Sequence, residues 1–96
     1  IQHNVDHIKF ISSFCIPFLF KSKKIKKYYE NKFNRKGIEN RPIIGGNICN
    51  QPFFKNIYKN KFLLKGSDFI DSNGFYITNH SNLSKRQLDY ILSMFE

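Results

Sequence analysis

The pattern of hydrophobic and polar positions along the chain predicts strands that alternate with helices. Residues 14–20 form a short apolar run between polar residues, and the length of this run favours a buried strand over a helix. Pro17 removes one backbone donor from the run, so we expect the strand at an edge of its sheet or at a bulge. Residues 38–44 and residues 74–78 predict two further strands.

The clearest helix signal covers residue 23 to about residue 36. Ser22 is a suitable N-cap for this helix, and Gly37 stands where a left-handed C-cap residue belongs. Four apolar residues recur at spacings of three and four and form one stripe, namely Ile25, Tyr28, Tyr29 and Phe33. We expect Ile25, Tyr29 and Phe33 to be buried. The lysines between them, including Lys26 and Lys27, are expected to be exposed.

The middle of the chain predicts turns and short helices. Gly45 and Gly46 indicate a turn or a close approach of the backbone to another group. Residues 51–54 predict a helical turn, and residues 55–65 predict a loop with a short extended stretch near residues 62–64. Residues 67–72 predict one or two further helical turns.

A second amphipathic helix is expected at the end of the chain. Ser84 is its N-cap, and its buried face is expected to contain Leu88, Ile91, Leu92 and Phe95. The alternation of strands and helices predicts an α/β fold, a small two-layer sandwich with a short mixed or antiparallel sheet and two main helices. Residues 1–96 make one domain. Because the pattern shows only three strands, we expect the chain to be a fragment of a larger protein.

The charge of the chain leaves two interpretations open. The net charge is +9, with thirteen Lys, three Arg and eleven Asn. A Lys- and Asn-rich surface is expected of an AT-rich coding sequence, and a dedicated phosphate-binding surface would favour Arg for its bidentate geometry. We therefore do not expect nucleic-acid binding. The alternative is a stand-alone basic α/β module that binds RNA or acidic partners through the lysines from Lys21 to Lys36.

Cysteine and histidine usage points away from a disulfide framework and from a metal site. Cys15 and Cys49 do not form a CxxC motif, and the chain shows no secretory signal pattern, so we expect a reduced, cytoplasmic compartment. No apolar run approaches the length that crosses a bilayer. His3 and His7 are four positions apart, but with His80 and the cysteines they match no common zinc spacing.

The residues of the sequence form no self-contained active site. No pair of carboxylates is expected on one helix face, and no nucleophile turn or phosphate loop is present. Polar residues do follow two of the predicted strands, first Arg41, Asn47, Asn50 and Gln51, and later Asn79 and His80. Loops on a rigid scaffold often contact ligands. The alternative is that the asparagines only form turns.

Two motifs about thirty residues apart favour the ligand-contact interpretation. Residues 41–52 read Arg-Pro-Ile-Ile-Gly-Gly-Asn-Ile-Cys-Asn-Gln-Pro, and residues 73–80 read Asn-Gly-Phe-Tyr-Ile-Thr-Asn-His. Residues 84–90 then read Ser-Lys-Arg-Gln-Leu-Asp-Tyr. In this order they resemble the carboxyl-terminal domain of the DegT-type pyridoxal-phosphate-dependent nucleotide-sugar aminotransferase and 3-dehydrase family. The resemblance covers roughly residues 8–96. It departs at Asn50, where related dehydrases often have a basic residue.

The resemblance implies the small domain of a fold-type-I enzyme that acts on a nucleotide-linked 4-keto-6-deoxy sugar in deoxysugar, lipopolysaccharide or other polysaccharide biosynthesis. An upstream large domain would carry pyridoxal phosphate and the catalytic residue, a Lys in aminotransferases or a His in 3-dehydrases. The full-length enzyme would be a homodimer, and this part would be inactive alone. Arg41 is the first candidate for an anionic or hydroxyl-rich substrate group, with Asn47 and Gln51 as hydrogen-bonding partners. Asn79 and His80 are further candidate substrate contacts.

Overall fold

The structure is a computed structural model that describes residues 6–9, 12–58 and 63–96. Its elements, in chain order, are β1 (Cys15–Leu19), α1 (Lys23–Arg35), β2 (Arg41–Pro42), a 3₁₀ turn (Ile48–Asn50), α2 (Pro52–Ile57), α3 (Lys65–Asn73), β3 (Gly74–Thr78), α4 (Lys85–Leu92) and a second 3₁₀ turn (Ser93–Phe95). The expectation about His3, and the part at residue 62 of the expected extended stretch, lie outside the described residues. The predicted α/β order with three strands is confirmed, but the described residues contain four helices where two main helices were predicted.

Within the described residues the sheet has three strands in the order β1-β3-β2, and both pairings are antiparallel. Pro17 lies in β1 at the edge of this sheet, opposite Tyr76 of β3, so the expected edge position is confirmed. Phe18 pairs with Phe75 and Ile16 pairs with Ile77. Because side chains alternate between the two faces of a strand, these four residues share the face that packs against the helices.

The second strand is much shorter than the predicted residues 38–44. Ile38 donates its backbone N–H to Phe33 O at the end of α1 (2.9 Å), so it still belongs to the helix terminus. On the other side, Gly46 donates to Ile43 O (3.2 Å), which begins the turn after the strand. Only Arg41 and Pro42 are left to pair with β3.

Helix α1 begins and ends where the sequence signals place it. Ser22 Oγ accepts the backbone N–H of Ile25 (3.3 Å). Gly37 follows the last turn with φ +71°, the left-handed conformation that glycine adopts without steric cost. The N-cap and C-cap predictions are therefore confirmed.

The face that α1 buries is rotated from the predicted stripe. Phe33 is completely buried, but Ile25 is 40% exposed and Tyr28 is 57% exposed. At 3.6 residues per turn, Ile25 lies about 80° from Phe33 around the helix, whereas Lys26 lies only about 20° from it. The Lys26 side chain is accordingly only 15% exposed, and its ammonium lies 3.6 Å from Glu30 Oε1. The predictions of a buried Ile25 and an exposed Lys26 are wrong.

The core is an aromatic cluster between the sheet and the helices. Its buried members are Phe20, Phe33, Phe75, Ile77, Ile91 and Met94. In the terminal helix Ile91 is buried as predicted, but Leu88 and Leu92 are 37% and 60% exposed, and Phe95 is 36% exposed. The helix changes to a 3₁₀ turn after Leu92, which directs Met94 into the core in place of the expected positions.

Candidate functional site

The loop after β2 contains two glycines in the left-handed region. Gly45 has φ +75° and Gly46 has φ +51°. A Cβ atom at Gly46 would lie 2.5 Å from Asp71 Oδ1, so the backbone passes directly against this carboxylate. No described atom lies within 4 Å of a Cβ built at Gly45. The prediction that the chain turns or approaches another group here is confirmed.

Asn47, the next residue, is one of the most buried in the described part of the chain, with 1% of its surface exposed. Its Nδ2 donates to Asp68 Oδ1 (2.7 Å), and its Oδ1 accepts the backbone N–H of Cys49 (3.0 Å). Asn50 Nδ2 donates to the same Asp68 oxygen at 3.1 Å. The Asn47 amide therefore has both of its ends engaged within the protein, and its role as a direct substrate contact stays a prediction.

Gln51 closes the loop. Its Nε2 donates to Gly45 O (3.1 Å), and this bond joins the two ends of the loop of residues 45–51. Pro52 then begins α2, where the missing backbone donor costs nothing because the first turn has no intrahelical acceptor for it. Residues 51–54 thus start a helix as predicted.

Arg41 is exposed and pairs with Tyr76 of β3, on the face of the sheet opposite to Phe75 and Ile77. Its Nε and one terminal nitrogen contact Glu39 Oε1 at 2.8 and 2.7 Å. The hydrogen bond to Glu39 and the negative charge of that carboxylate, with a smaller contribution from Tyr76, raise the pKa of Arg41 above its ordinary value. The side chain is 66% exposed, so the pair is open to water and to a ligand.

An open concavity of about 310 Å³ surrounds this pair, lined by Phe14, Glu39, Arg41, Tyr76 and Thr78. A second concavity of about 240 Å³ adjoins it, since Glu39 and Thr78 line both, and Gln87 and Tyr90 of α4 form part of its wall. The described lining residues of these two concavities include no lysine.

Asn79 and His80 stand at the far end of β3. Asn79 Nδ2 donates to Ser13 O (2.6 Å), and its backbone N–H donates to Phe14 O (3.0 Å). His80 Nδ1 accepts the backbone N–H of Asn82 (3.1 Å). Both residues are exposed, and these three hydrogen bonds fix the turn that leads to α4.

The sequence-predicted residues therefore form two groups rather than one. Since β2 and β3 are antiparallel, the loop containing Asn47 and Gln51 starts beside the first residue of β3, whereas Asn79 and His80 follow its last residue. The five residues of β3 separate the groups by about 17 Å. Arg41 lies between them, opposite Tyr76.

The sequence patterns did not identify two carboxylates of α3 that contact the loop. Asp68 and Asp71 are three residues apart on one helix, so they share a face, and the expectation of no paired carboxylates on a helix face is wrong. Their spacing was visible in the sequence. What the sequence lacked was any sign that this face lies against residues 46–50.

The lysines of α1 are partly committed to contacts within the chain. Lys26 and Lys27 each lie 3.6 Å from a Glu30 oxygen, and Lys32 Nζ donates to Met94 O. Lys23, Lys24 and Lys36 are exposed. The basic surface of α1 is therefore interrupted rather than continuous.

Residues 6–9, 12–58 and 63–96 contain no group of three or more potential metal ligands, and no helix among them is long and apolar enough to cross a membrane. Cys15 and Cys49 are free thiols. Comparison of the chain with protein-family models, with curated proteins and with solved structures gave no match.

Proposed function

We propose that this chain is the carboxyl-terminal, substrate-closing part of a DegT-type pyridoxal-phosphate-dependent enzyme that acts on a nucleotide-linked 4-keto-6-deoxy sugar by transamination or C-3 dehydration. The observation that carries the proposal is that the two motifs on which the resemblance rests pack against each other. Arg41 and Pro42 of the first motif pair with Tyr76 and Phe75 of the second. A coarse two-layer α/β fold with a short antiparallel sheet is also compatible with such a domain.

The described residues do not fit the cofactor itself. No lysine is among the described lining residues of the two concavities near Arg41, and His80 belongs to an exposed turn. In the proposed enzyme an upstream domain holds pyridoxal phosphate, and the role of this chain is to bind and orient the sugar. Arg41 fits this role because its guanidinium is accessible and its partner, Glu39, is exposed as well. An incoming phosphate or hydroxyl group can therefore compete for it.

The test uses the protein encoded by the complete gene, including whatever is encoded in frame before Ile1. We expect that protein, supplied with pyridoxal phosphate and glutamate, to convert a nucleotide-linked 4-keto-6-deoxy sugar to an amino or a 3-deoxy product, detected by mass spectrometry. An unchanged sugar, together with a reading frame that encodes no cofactor-binding domain, would overturn the proposal.

The 96-residue chain provides the matched control. After incubation with pyridoxal phosphate and removal of the excess, we expect it to retain no visible absorption from bound cofactor. Retained visible absorption that borohydride abolishes, with the cofactor then attached covalently to a single lysine, would show that the cofactor site lies in this chain, contrary to the proposed division of roles.

The basic-module alternative makes a different prediction for the same chain. It requires salt-dependent retention of RNA that is lost on charge reversal of Lys24 and Lys27. Lys26→Gln is the control, because that side chain is largely covered and its loss changes the exposed charge little. We expect no RNA retention at physiological salt, and retention that depends on Lys24 and Lys27 but not on Lys26 would favour the alternative.

A further inference from the structure

We propose that Asp68 is the positioning residue of the candidate substrate loop, residues 45–51: its carboxylate holds this loop in one conformation against α3. That the loop contacts substrate rests on the proposed function. That Asp68 fixes the loop rests on contacts within the chain. Asp68 is not among the candidate residues that the motifs supply.

A single oxygen of α3 receives two side chains of the loop. Asp68 Oδ1 accepts one hydrogen bond from Asn47 (2.7 Å) and one from Asn50 (3.1 Å), which stand 21 and 18 residues earlier in the chain. Both bonds have a charged acceptor, and such bonds are stronger than those between neutral groups. One carboxylate therefore fixes the loop at two points three residues apart.

Asn47 connects this carboxylate to the loop backbone. With 1% of its surface exposed, Asn47 is covered by protein, and its other end accepts the backbone N–H of Cys49. Its amide is therefore not presented to solvent. Removing the Asp68 carboxylate would leave a buried amide donor without its acceptor, which a folded protein tolerates poorly.

The loop needs such a fixed point because of its glycines. Gly45 and Gly46 both have positive φ, and glycine has more conformational freedom to lose on folding than other residues. The bond from Gln51 to Gly45 O closes the loop on itself but does not attach it to the rest of the domain. Among the described residues, α3 attaches the loop through Asp68 and through the contact of Gly46 with Asp71.

The experiment compares Asp68→Ala with Asp68→Asn in the 96-residue chain, by nuclear magnetic resonance with hydrogen exchange. In wild type we expect a protected side-chain amide signal from Asn47. In Asp68→Ala we expect this protection to be lost and exchange in residues 45–51 to accelerate about tenfold or more, since a hydrogen bond to a charged group shifts a local opening equilibrium by that much. Exchange in β3 should stay unchanged.

Rescue by the conservative variant separates positioning from general destabilisation. Asp68→Asn keeps an acceptor oxygen at the same place, so we expect it to restore most of the Asn47 protection. Asp89→Ala, which removes an exposed carboxylate from α4, is the control and should change neither region. If Asp68→Ala does not fold, Asn50→Ala removes the longer of the two bonds from an exposed side chain and should accelerate exchange in residues 45–51 by a smaller factor.

Loop exchange that is the same in Asp68→Ala as in wild type would overturn the proposal. Acceleration spread equally over β3 would overturn it too, because it would mean that Asp68 only supports the fold. A titration of wild type with dTDP-4-keto-6-deoxyglucose separates this result from the proposed function. A shift of loop signals by that sugar would support the proposed function, which the conversion assay on the complete gene product decides, while the exchange data decide separately whether Asp68 fixes the loop.

Discussion

The replacement of Phe33 by Ala tests the core around which the domain is built. Phe33 is 0% exposed and lies at the centre of the aromatic cluster. Its ring centroid is 5.4 Å from that of Phe75, 5.6 Å from Phe95 and 6.1 Å from Phe18, all in edge-on arrangements. Truncation of Phe33 therefore opens a cavity inside the core, between α1 and the sheet, instead of removing atoms from the edge of the core.

The expected loss can be worked out from these contacts. Burial of a Phe side chain contributes about 1.5–3 kcal/mol through the removal of apolar surface from water. The cavity and the lost ring contacts add to this, and Phe→Ala changes in cores cost about 3–5 kcal/mol in total. A domain of this length has a free energy of unfolding of about 5–14 kcal/mol. Phe33→Ala should therefore remove a large part of this free energy of unfolding and lower the Tm of the chain by roughly 12 °C or more.

Urea unfolding followed by far-ultraviolet circular dichroism measures the effect. Tyr28→Ala is the matched control, because it truncates an aromatic residue of the same helix that is 57% exposed. We expect Tyr28→Ala to cost less than about 1 kcal/mol and Lys27→Gln, at a side chain that is 71% exposed, less than about 0.5 kcal/mol. A loss for Tyr28→Ala as large as that for Phe33→Ala would refute the placement of α1 on the sheet.

Three further changes test the turn, the terminal cap and the candidate ligand contact. Gly45→Ala and Gly46→Ala each place a side chain at positive φ, which lowers the free energy of unfolding by about 1–2 kcal/mol. Gly46→Ala should lower it further, because only the Cβ at position 46 meets Asp71. Equal losses in urea unfolding would contradict this contact. Ser84→Ala should cost about 0.5–2 kcal/mol, since the capping box at the start of α4 is lost, and a change within error would mean that the cap is not formed. Arg41→Lys in the intact enzyme should lower kcat/KM about tenfold or more, and unchanged kinetics would reduce Arg41 to its surface pairing.

The elements of this fold were largely predictable because their signals are local. Ser22 and Gly37 mark the two ends of α1 through the hydrogen-bonding and conformational preferences of single residues. The strand of residues 74–78 was predicted with its observed bounds, since glycine begins it and polar residues follow it. Pro17 placed β1 at a sheet edge for the same kind of reason.

The orientation of the helices was less predictable because it depends on what they pack against. An apolar stripe that includes Ile25 and one that includes Lys26 differ by only about 100° around α1. Phe33 packs against the ring of Phe75, and with Phe33 in this position the Lys26 side chain is largely covered and its ammonium lies beside Glu30. A buried face chosen by hydrophobicity alone therefore includes Ile25, whereas the structure covers the adjacent Lys26.

The candidate site shows the same division between local and tertiary information. The sequence offered two interpretations of Asn47, a turn residue or a ligand contact, and the structure gives it a third set of partners. It does cap a 3₁₀ turn, but the other end of its amide reaches a carboxylate 21 residues later. Pairing between such distant residues depends on how α3 meets the loop, and no local pattern encodes it.

This contact bears directly on Arg41. Strand β2 has only two residues, one of them Pro42, which has no N–H to donate, so its own hydrogen bonds attach it weakly to β3. The loop that follows β2 is tied to α3 by Asp68, and α3 runs without interruption into β3. The position of Arg41 in the sheet is therefore fixed from both sides of the strand, by its pairing with Tyr76 and by the attachment of the loop. Loss of the Asp68 carboxylate should consequently make the position of Arg41 less well fixed, because the loop and β2 form one continuous stretch of backbone.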